Sequence, residues 1–319
     1  LMLILRRENI QKQVDWNRAI EALKEGFKAA SAGKVAMPPV GYLGFPKVGG
    51  DCHIKYGHVD GDAIFVIKVS TGFYHNVDNG LPSSNGLSLV LSAETGQPIA
   101  LLQDEGWLTD LRTGLAGGIA TQVMCRSDAT RVGIVGTGTQ ARLQIRAVHH
   151  LLNDRALTFQ VWGRDSEKVS TYRDDMAAFG IAVKKASSLE GLCRNSDIII
   201  TTTPATEPLI QSAWIGPGTH ITAIGADAPG KRELDVELVS RADAILVDSR
   251  VQCADHGEIA TAAAMGLVST DRCIEIGEVL GGSVSLTRRS EDISIADLTG
   301  LAVQDIAIAK VTLSAGAPD

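Results

Sequence analysis

From about residue 130 to 298, short apolar runs alternate with segments of helical spacing. The runs lie at 132–135, 157–162, 181–184, 198–200, 220–224 and 244–247, and helices are predicted over 139–152 and 166–179. Brief apolar strands, bounded by glycine and alternating with helices, predict a parallel, doubly wound sheet. Ligands of such sheets lie beyond the C-terminal strand ends. The first 125 residues read differently. Residues 16–30 carry helical spacing, and β-like runs follow at 52–56, 63–69 and 86–92. Glu94-Thr95-Gly96-Gln97-Pro98 is turn chemistry between the last of these and another apolar run at 99–102. Residues 107–125 read as a helix despite Gly114, Gly117 and Gly118. Residues 301–313 are apolar at helical spacing and could cross back to the first region, which would make that domain discontinuous. The pattern predicts an α/β protein of two domains. A discontinuous α+β domain covers 1–125 and 300–319, and a doubly wound domain covers 126–299.

Composition narrows the function. A chain of 319 residues that is 45% hydrophobic and 21% charged can build two cores. The formal charge of −7 comes without a basic stripe, which argues against nucleic acid as a partner. No apolar run approaches the ~18 residues of a membrane span. The opening Leu1-Met2-Leu3-Ile4-Leu5 is too short for a signal-peptide core. The five cysteines are scattered and form no C-x-x-C pair. That pattern favours reduced thiols in a cytoplasm-like compartment.

The densest chemistry is Arg131-Val132-Gly133-Ile134-Val135-Gly136-Thr137-Gly138-Thr139-Gln140-Ala141. It reads as strand, glycine turn and helix. Gly136 permits the turn, Gly138 lets backbone approach a pyrophosphate, and Ala141 stands at the third small position. The helix N-terminus beyond, with Thr139 and Gln140, presents free N–H groups to that anion. The expected ligand is a dinucleotide. The second strand ends Val161-Trp162-Gly163-Arg164-Asp165, where the adenosine ribose should lie. Arg164 either faces a 2′-phosphate or stacks on adenine. Asp165 would hold ribose hydroxyls and repel a phosphate, so NAD(H) is preferred and NADP(H) stays open. Thr202 and Pro204, in a Thr-Thr-Thr-Pro strand end, either cap the next helix or touch cofactor. Asp227, after Gly225-Ala226, is placed to meet nicotinamide and substrate, or is a turn aspartate bonded to its own backbone.

Two basic residues interrupt apolar segments of the first region. Lys68 sits in Phe65-Val66-Ile67-Lys68-Val69, and Arg112, followed by Thr113, lies early in the 107–125 helix. Each must pair internally or bind an anion. His53 and Lys55 share one face of a candidate strand, as alternate positions do. Asp255-His256-Gly257-Glu258 holds ligand-type residues without a full metal set, so no metal is expected.

At this point the sequence resembles the ornithine cyclodeaminase/μ-crystallin family along nearly its whole length. The resemblance is carried by Met37-Pro38-Pro39, Ile67-Lys68-Val69, Ala93-Glu94-Thr95-Gly96 and Leu108-Thr109-Asp110-Leu111-Arg112-Thr113. It continues through Gly136-Thr137-Gly138-Thr139-Gln140-Ala141, Val161-Trp162-Gly163-Arg164, Gly225-Ala226-Asp227 and Gly300-Leu301-Ala302-Val303-Gln304-Asp305. It implies a Rossmann domain beside a discontinuous domain that binds substrate and dimerises. It also implies that Lys68 and Arg112 hold a substrate carboxylate, and that Asp227 and Lys68 are the catalytic pair. The cofactor set would be Arg112, Thr113, Gly136, Gly138, Thr139, Gln140, Arg164, Asp165, Thr202, Pro204 and Asp227. One stretch departs from the family pattern. Gly50-Asp51-Cys52-His53-Ile54-Lys55-Tyr56 replaces a Met-Pro pair, and the resemblance implies that His53 stands near where the family's cyclodeaminase carries a glutamate for a distal amine, with Lys55 two residues on. Positive groups there would suit a second carboxylate, as in family members that reduce iminosuccinate to L-aspartate. The expected activity is therefore NAD(H)-dependent reduction of a small imino acid by a cytoplasmic homodimer. The alternatives are cyclodeamination with ammonia loss, and a crystallin-like protein that binds nucleotide and ligand without turnover.

Overall fold

The structure, a computed structural model, describes residues 2–316. The chain divides into two compact units, Leu1–Arg112 with Leu301–Asp319, and Thr113–Gly300. The division falls inside a helix, Trp107–Met124, rather than near 125. The reason lies in that helix's small residues. Side chains added at Gly114, Gly117 and Gly118 would collide with Leu143, Gln144 and Ala147 of the helix after the glycine turn. This close approach ties the second part of Trp107–Met124 to the second unit.

The first unit is a seven-stranded sheet. Its strands are β1 (Leu3–Arg6), β2 (Val35–Ala36), β3 (Gly41–Phe45), β4 (Gly50–Val59), β5 (Ile64–Phe73), β6 (Ser84–Ser92) and β7 (Pro98–Gln103). The order is β1-β7-β6-β5-β4-β2, with β3 on β4. β4 to β7 are antiparallel neighbours, and β1 joins β7 in parallel. The helices are α1 (Arg7–Gln13), α2 (Trp16–Ser31), the first part of α3 (Trp107–Met124), and α11 (Ala302–Gly316). α2 starts where Asp15 accepts the Arg18 N–H at 2.9 Å, an N-cap. Alternation along the strands puts Val66, Val90, Ala100 and Leu102 in the core, where Ile20, Leu23 and Phe27 of α2 are also buried. α11 buries most of its circumference: Val303, Ile306, Ile308 and Val311 are all in the core, while Lys310 is exposed and pairs with Asp62. It packs on α2, β4 and β5. The return of the last segment to the first region is thus observed.

The second unit holds the predicted doubly wound sheet. Its strands are β8 (Arg131–Val135), β9 (Thr158–Trp162), β10 (Val183–Lys185), β11 (Ile198–Thr201), β12 (His220–Ala223), β13 (Ala244–Val247), β14 (Cys273–Glu275) and β15 (Ser294–Asp297). All eight pair in parallel, in the order β10-β9-β8-β11-β12-β15-β13-β14. The order reverses at β8, so the crevice at the end of that strand is the switch point where such sheets bind ligands. The helices are α4 (Thr139–Leu151), α5 (Ser166–Ala177), α6 (Leu189–Arg194), α7 (Val236–Arg241), α8 (Arg250–Asp255), α9 (Glu258–Ala264) and α10 (Ile276–Leu280). β14 and β15 were not anticipated. Ser294-Ile295-Ala296-Asp297 is half polar, yet all four residues are buried. Partners explain this: Ser294 Oγ meets His220 Nδ1 at 2.9 Å, and Asp297 accepts the Ile259 N–H at 3.1 Å. No helix among the described residues is long and apolar enough to cross a membrane.

Candidate functional site

The second unit supplies a backbone site. β8 ends at Val135, and Gly136 turns the chain with φ 115°, a conformation that side-chain-bearing residues rarely adopt. Its N–H donates to Trp162 O at 2.9 Å, and Thr202 Oγ1 donates to Val135 O at 3.0 Å. These bonds lock the end of β8 between β9 and the loop after β11. Thr202 therefore acts first as a strand clasp, and Pro204 is exposed in that same loop. Gly138 is the N-cap of α4, in extended conformation. A Cβ added at Gly138 would meet nothing within 4 Å, so there is open space above the turn. That space, facing the N-terminus of α4 with Thr139 and Gln140, fits a pyrophosphate. Arg142, which sequence reasoning passed over, braces the turn from below. Its Nη1 donates to Thr137 O and Gly138 O, and its Nε donates to Asp175 Oδ2 at 2.8 Å.

Arg164 is exposed at the end of β9, with no hydrogen bond or ion pair among the described residues. Asp165 differs from its sequence assignment. It caps α5, its Oδ1 accepting the N–H groups of Glu167 at 2.9 Å and Lys168 at 3.2 Å. This oxygen is committed to the helix, which weakens its reading as a ribose ligand.

Asp227 lies in a turn after β12. Its side chain is more than half exposed, and Lys231 Nζ donates to its Oδ1 at 2.7 Å. A group missed from the sequence organises this edge. Glu233, fully buried, accepts Thr203 N at 2.6 Å, Thr203 Oγ1 at 2.7 Å and Gly225 N at 2.9 Å. It joins the loops that leave β11 and β12, and burial pushes its carboxyl above the usual range. No group of three or more His, Cys, Asp or Glu is placed to hold a metal among the described residues.

The first unit supplies a side-chain site. Lys68, on β5, is 3% exposed, and Arg112, on α3, is 5% exposed. The structure brings them together around Asp305 of α11. Lys68 Nζ donates to Asp305 Oδ1 at 3.1 Å, and Arg112 Nε stands 3.2 Å from the same oxygen. Arg112 Nη1 also donates to Gln304 Oε1. Burial drives Lys68 down to about 7, with Asp305 opposing and Arg112 and Lys55 assisting. Burial alone would raise Asp305, but the charges of Lys68 and Arg112 outweigh it and hold the carboxyl below its ordinary range. Lys55 pairs directly with Lys68 across β4 and β5, and Lys68 with Ser88 on β6, so all three share one sheet face. His53, two residues before Lys55, lies on that face. Its ring packs edge-on against Tyr42 at 5.2 Å, and Nε2 is 3.6 Å from Asp51 Oδ1. Asp104, which starts α3 by accepting the Leu108 N–H at 2.8 Å, is raised to about 6 by burial. Gln304, Asp305 and Asp104 were given no role by sequence reasoning. Gln304-Asp305 stood inside a family motif, and an acid in an apolar helix was the available signal.

A Rossmann-type dinucleotide turn in one unit and a buried cation pair in the other define the class of this protein. The chain belongs to the ornithine cyclodeaminase/mu-crystallin family, whose sequence profile matches residues 2–314. It is similar to an archaeal alanine dehydrogenase, solved as a dimer with bound NAD, at 34% identity and TM-score 0.90 over 98% of this chain and 95% of that one. It is similar to Thermococcus litoralis Delta(1)-pyrroline-2-carboxylate reductase, solved with NADH and L-proline, at 28% identity and TM-score 0.91 over 98% and 97%. It is also similar to the iminosuccinate reductase of Paracoccus denitrificans, solved with NAD+, at 26% identity and TM-score 0.88 over 98% and 96%.

Proposed function

We propose that this chain is an NAD(H)-dependent oxidoreductase of C–N bonds that reduces small α-imino acids to amino acids. The observation that carries the reading is the Lys68–Arg112 pair, two buried cations in a chain that also carries a dinucleotide turn. Buried cations need an anion, and a planar guanidinium beside an ammonium suits a carboxylate. Gly136, Gly138, Thr139 and Gln140 take the pyrophosphate, and Arg164 lies by the adenosine. Arg112, Thr113, Thr202, Pro204 and Asp227 complete the proposed cofactor contacts. NAD(H) is the preferred cofactor, in keeping with the relatives named above. Asp165 contributes its charge against a 2′-phosphate even though it caps a helix. When bound, the reduced nicotinamide supplies a hydride. Lys68 and Arg112 fix the substrate carboxylate, and Asp227 holds the imine nitrogen protonated so that its carbon accepts the hydride.

The finer proposal is reduction of iminosuccinate to L-aspartate. It is supported by Lys55 and His53 on the face of Lys68, which offer cationic partners to a second carboxylate. Asp305 favours a second reading. It already neutralises one charge of the Lys68–Arg112 pair, and the remaining charge matches a single carboxylate, as in the imine of pyruvate. Rates of NADH oxidation with oxaloacetate plus ammonia against pyruvate plus ammonia decide between them. Preference for oxaloacetate sustains the dicarboxylate reading, and equal or reversed preference removes it. Ammonia release from ornithine without net cofactor change would instead mark a cyclodeaminase.

The first unit is also the proposed dimer contact. Ile4, Leu101, Leu89, Ile67 and Tyr56 align in register on the sheet face opposite Lys68, and Ile4 and Tyr56 are exposed there. Sedimentation should give twice the chain mass, and a monomer would refute this. All five cysteines are free, which supports a cytoplasm-like compartment.

A further inference from the structure

We infer that Asp305 is a positioning residue that keeps Lys68 cationic and holds Lys68 and Arg112 as a preformed clamp for a carboxylate. The inference rests on the carboxylate reading above and extends it to a residue outside the expected site. Three elements far apart in sequence meet here: β5, α3 and α11. Asp305 is 3% exposed, in a helix whose surrounding residues, from Leu301 to Ala309, are all buried. An acid in such a place is costly unless its charge is used. Its Oδ1 takes both a Lys68 proton at 3.1 Å and the approach of Arg112 Nε at 3.2 Å. Gln304, one residue earlier, accepts from Arg112 Nη1. The two cationic heads are thereby held at one oxygen before any substrate arrives.

The surroundings show why a counter-charge is needed. Lys68 is faced by Lys55 from β4, by neutral Ser88 from β6, by Arg112 from α3, by Asp104 from the segment before α3, and by Asp305 from α11. Two of those groups are cations that, together with burial, drive the ammonium towards its neutral form. Asp104 is itself raised by burial, so it is a weaker counter-charge. Asp305 is the acid in direct contact. Without it Lys68 would lose its proton at lower pH, and a neutral amine does not attract a carboxylate. A second consequence is geometric. Lys68 has three N–H donors and gives one to Asp305, which fixes the direction of the other two.

The test is a titration of Lys68 in the whole protein, read by NMR with isotope-labelled lysine and assigned by the signal lost in Lys68→Arg. Neither substrate nor cofactor is added, so a protein that reduces no imine still reports on Asp305. The wild-type midpoint is expected near 7. Asp305→Asn should move it down by at least about one unit, the usual effect of removing an adjacent opposite charge. Asp305→Glu should restore it. L-aspartate and L-alanine, added as carboxylate probes, should lose affinity in Asp305→Asn on passing the new, lower midpoint. If Asp305→Asn does not fold, Lys68→Met runs the test in reverse: the Asp305 carboxyl, left with Arg112, should titrate at higher pH than in the wild type. An unmoved Lys68 in Asp305→Asn, or an unmoved Asp305 in Lys68→Met, overturns the inference. Imine reduction with an unmoved Lys68 would discard Asp305 alone, whereas a shifted Lys68 without imine reduction would discard the enzymatic reading.

Discussion

The glycine turn after β8 and the Lys68–Arg112–Asp305 cluster, the two proposed anion sites, are built in opposite ways. The turn is made of consecutive backbone. Its donors are the N–H groups at the start of α4, and its critical feature is missing volume at Gly138. The cluster is made of side chains from positions 68, 112 and 305, and its critical feature is an internal counter-charge. A site built from one local segment draws its donors from that segment, and distant residues such as Trp162 and Thr202 only hold the turn in place. A site built from three elements exists only once the fold has assembled, and each member sets the charge of the others.

The largest expected effect concerns a candidate that stands outside both sites. Asp227 is half exposed and paired with Lys231 in an i, i+4 contact, and such surface pairs add little stability. Asp227→Asn should leave the melting temperature unchanged yet lower kcat by about 10²–10⁴-fold if the carboxyl moves a proton. Full activity would reduce Asp227 to a turn residue and leave the chemistry to the Lys68 cluster.

Gly138→Val sharpens the contrast from the backbone side. The open space at that Cβ means that the fold accepts the side chain. NADH affinity, followed by fluorescence, should fall about 10–100-fold through loss of a charge-assisted bond to phosphate. Unchanged affinity would remove the pyrophosphate from this turn. Gly225→Ala is the structural counterpart. Its Cβ would lie 2.1 Å from Thr203 O and press on Glu233. Stability should fall by roughly 1–3 kcal/mol, checked by urea unfolding.

Two smaller effects complete the comparison. Lys55→Ala should reduce any preference for oxaloacetate over pyruvate imine by about tenfold, the value of one charge-assisted bond. An unchanged preference would take Lys55 out of the site. Asp197 tests the N-terminal ends of the central strands β8 and β11, opposite the glycine turn. Burial opposes its ionisation, but Arg131 and backbone N–H groups of Thr130 and Arg131 hold its pKa down to about 2. A carboxyl whose folded pKa is depressed contributes stability above its unfolded value, and loses it as pH falls. Asp197→Asn should lower the melting temperature by roughly 2–4 °C near neutrality, with the gap closing between pH ~4 and ~2. A pH-independent gap would mean that the charge is not the stabilising part.

The same contrast explains what could be read from residues alone. The turn at 136–138, the strand Ala244–Val247 and the parallel, doubly wound class of the sheet were legible, because glycine spacing and apolar runs are local signals. β15 escaped because its polar residues are satisfied by partners distant in sequence, His220 and the start of α9. Lys68 and Arg112 were visible as charges in apolar runs. Their neutralisation by Asp305 was not: the return of 301–313 to the first region could be expected, but which residue of that helix would face Lys68 on β5 is not a local signal. Asp165 was legible as an acid at a strand end and directly before the predicted helix at 166–179, so its capping role was open to reading there, but the strand-end position drew it to the ribose instead.

The most direct test of the central claim compares wild type with Lys68→Met in the oxidation of NADH by an α-keto acid plus ammonia, followed by nicotinamide absorbance. The account predicts turnover by the wild type, a loss of about 10–100-fold in kcat/KM for the variant, and the same NADH affinity in both. No cofactor oxidation with either oxaloacetate or pyruvate, or a Lys68→Met variant as efficient as the wild type, would contradict it.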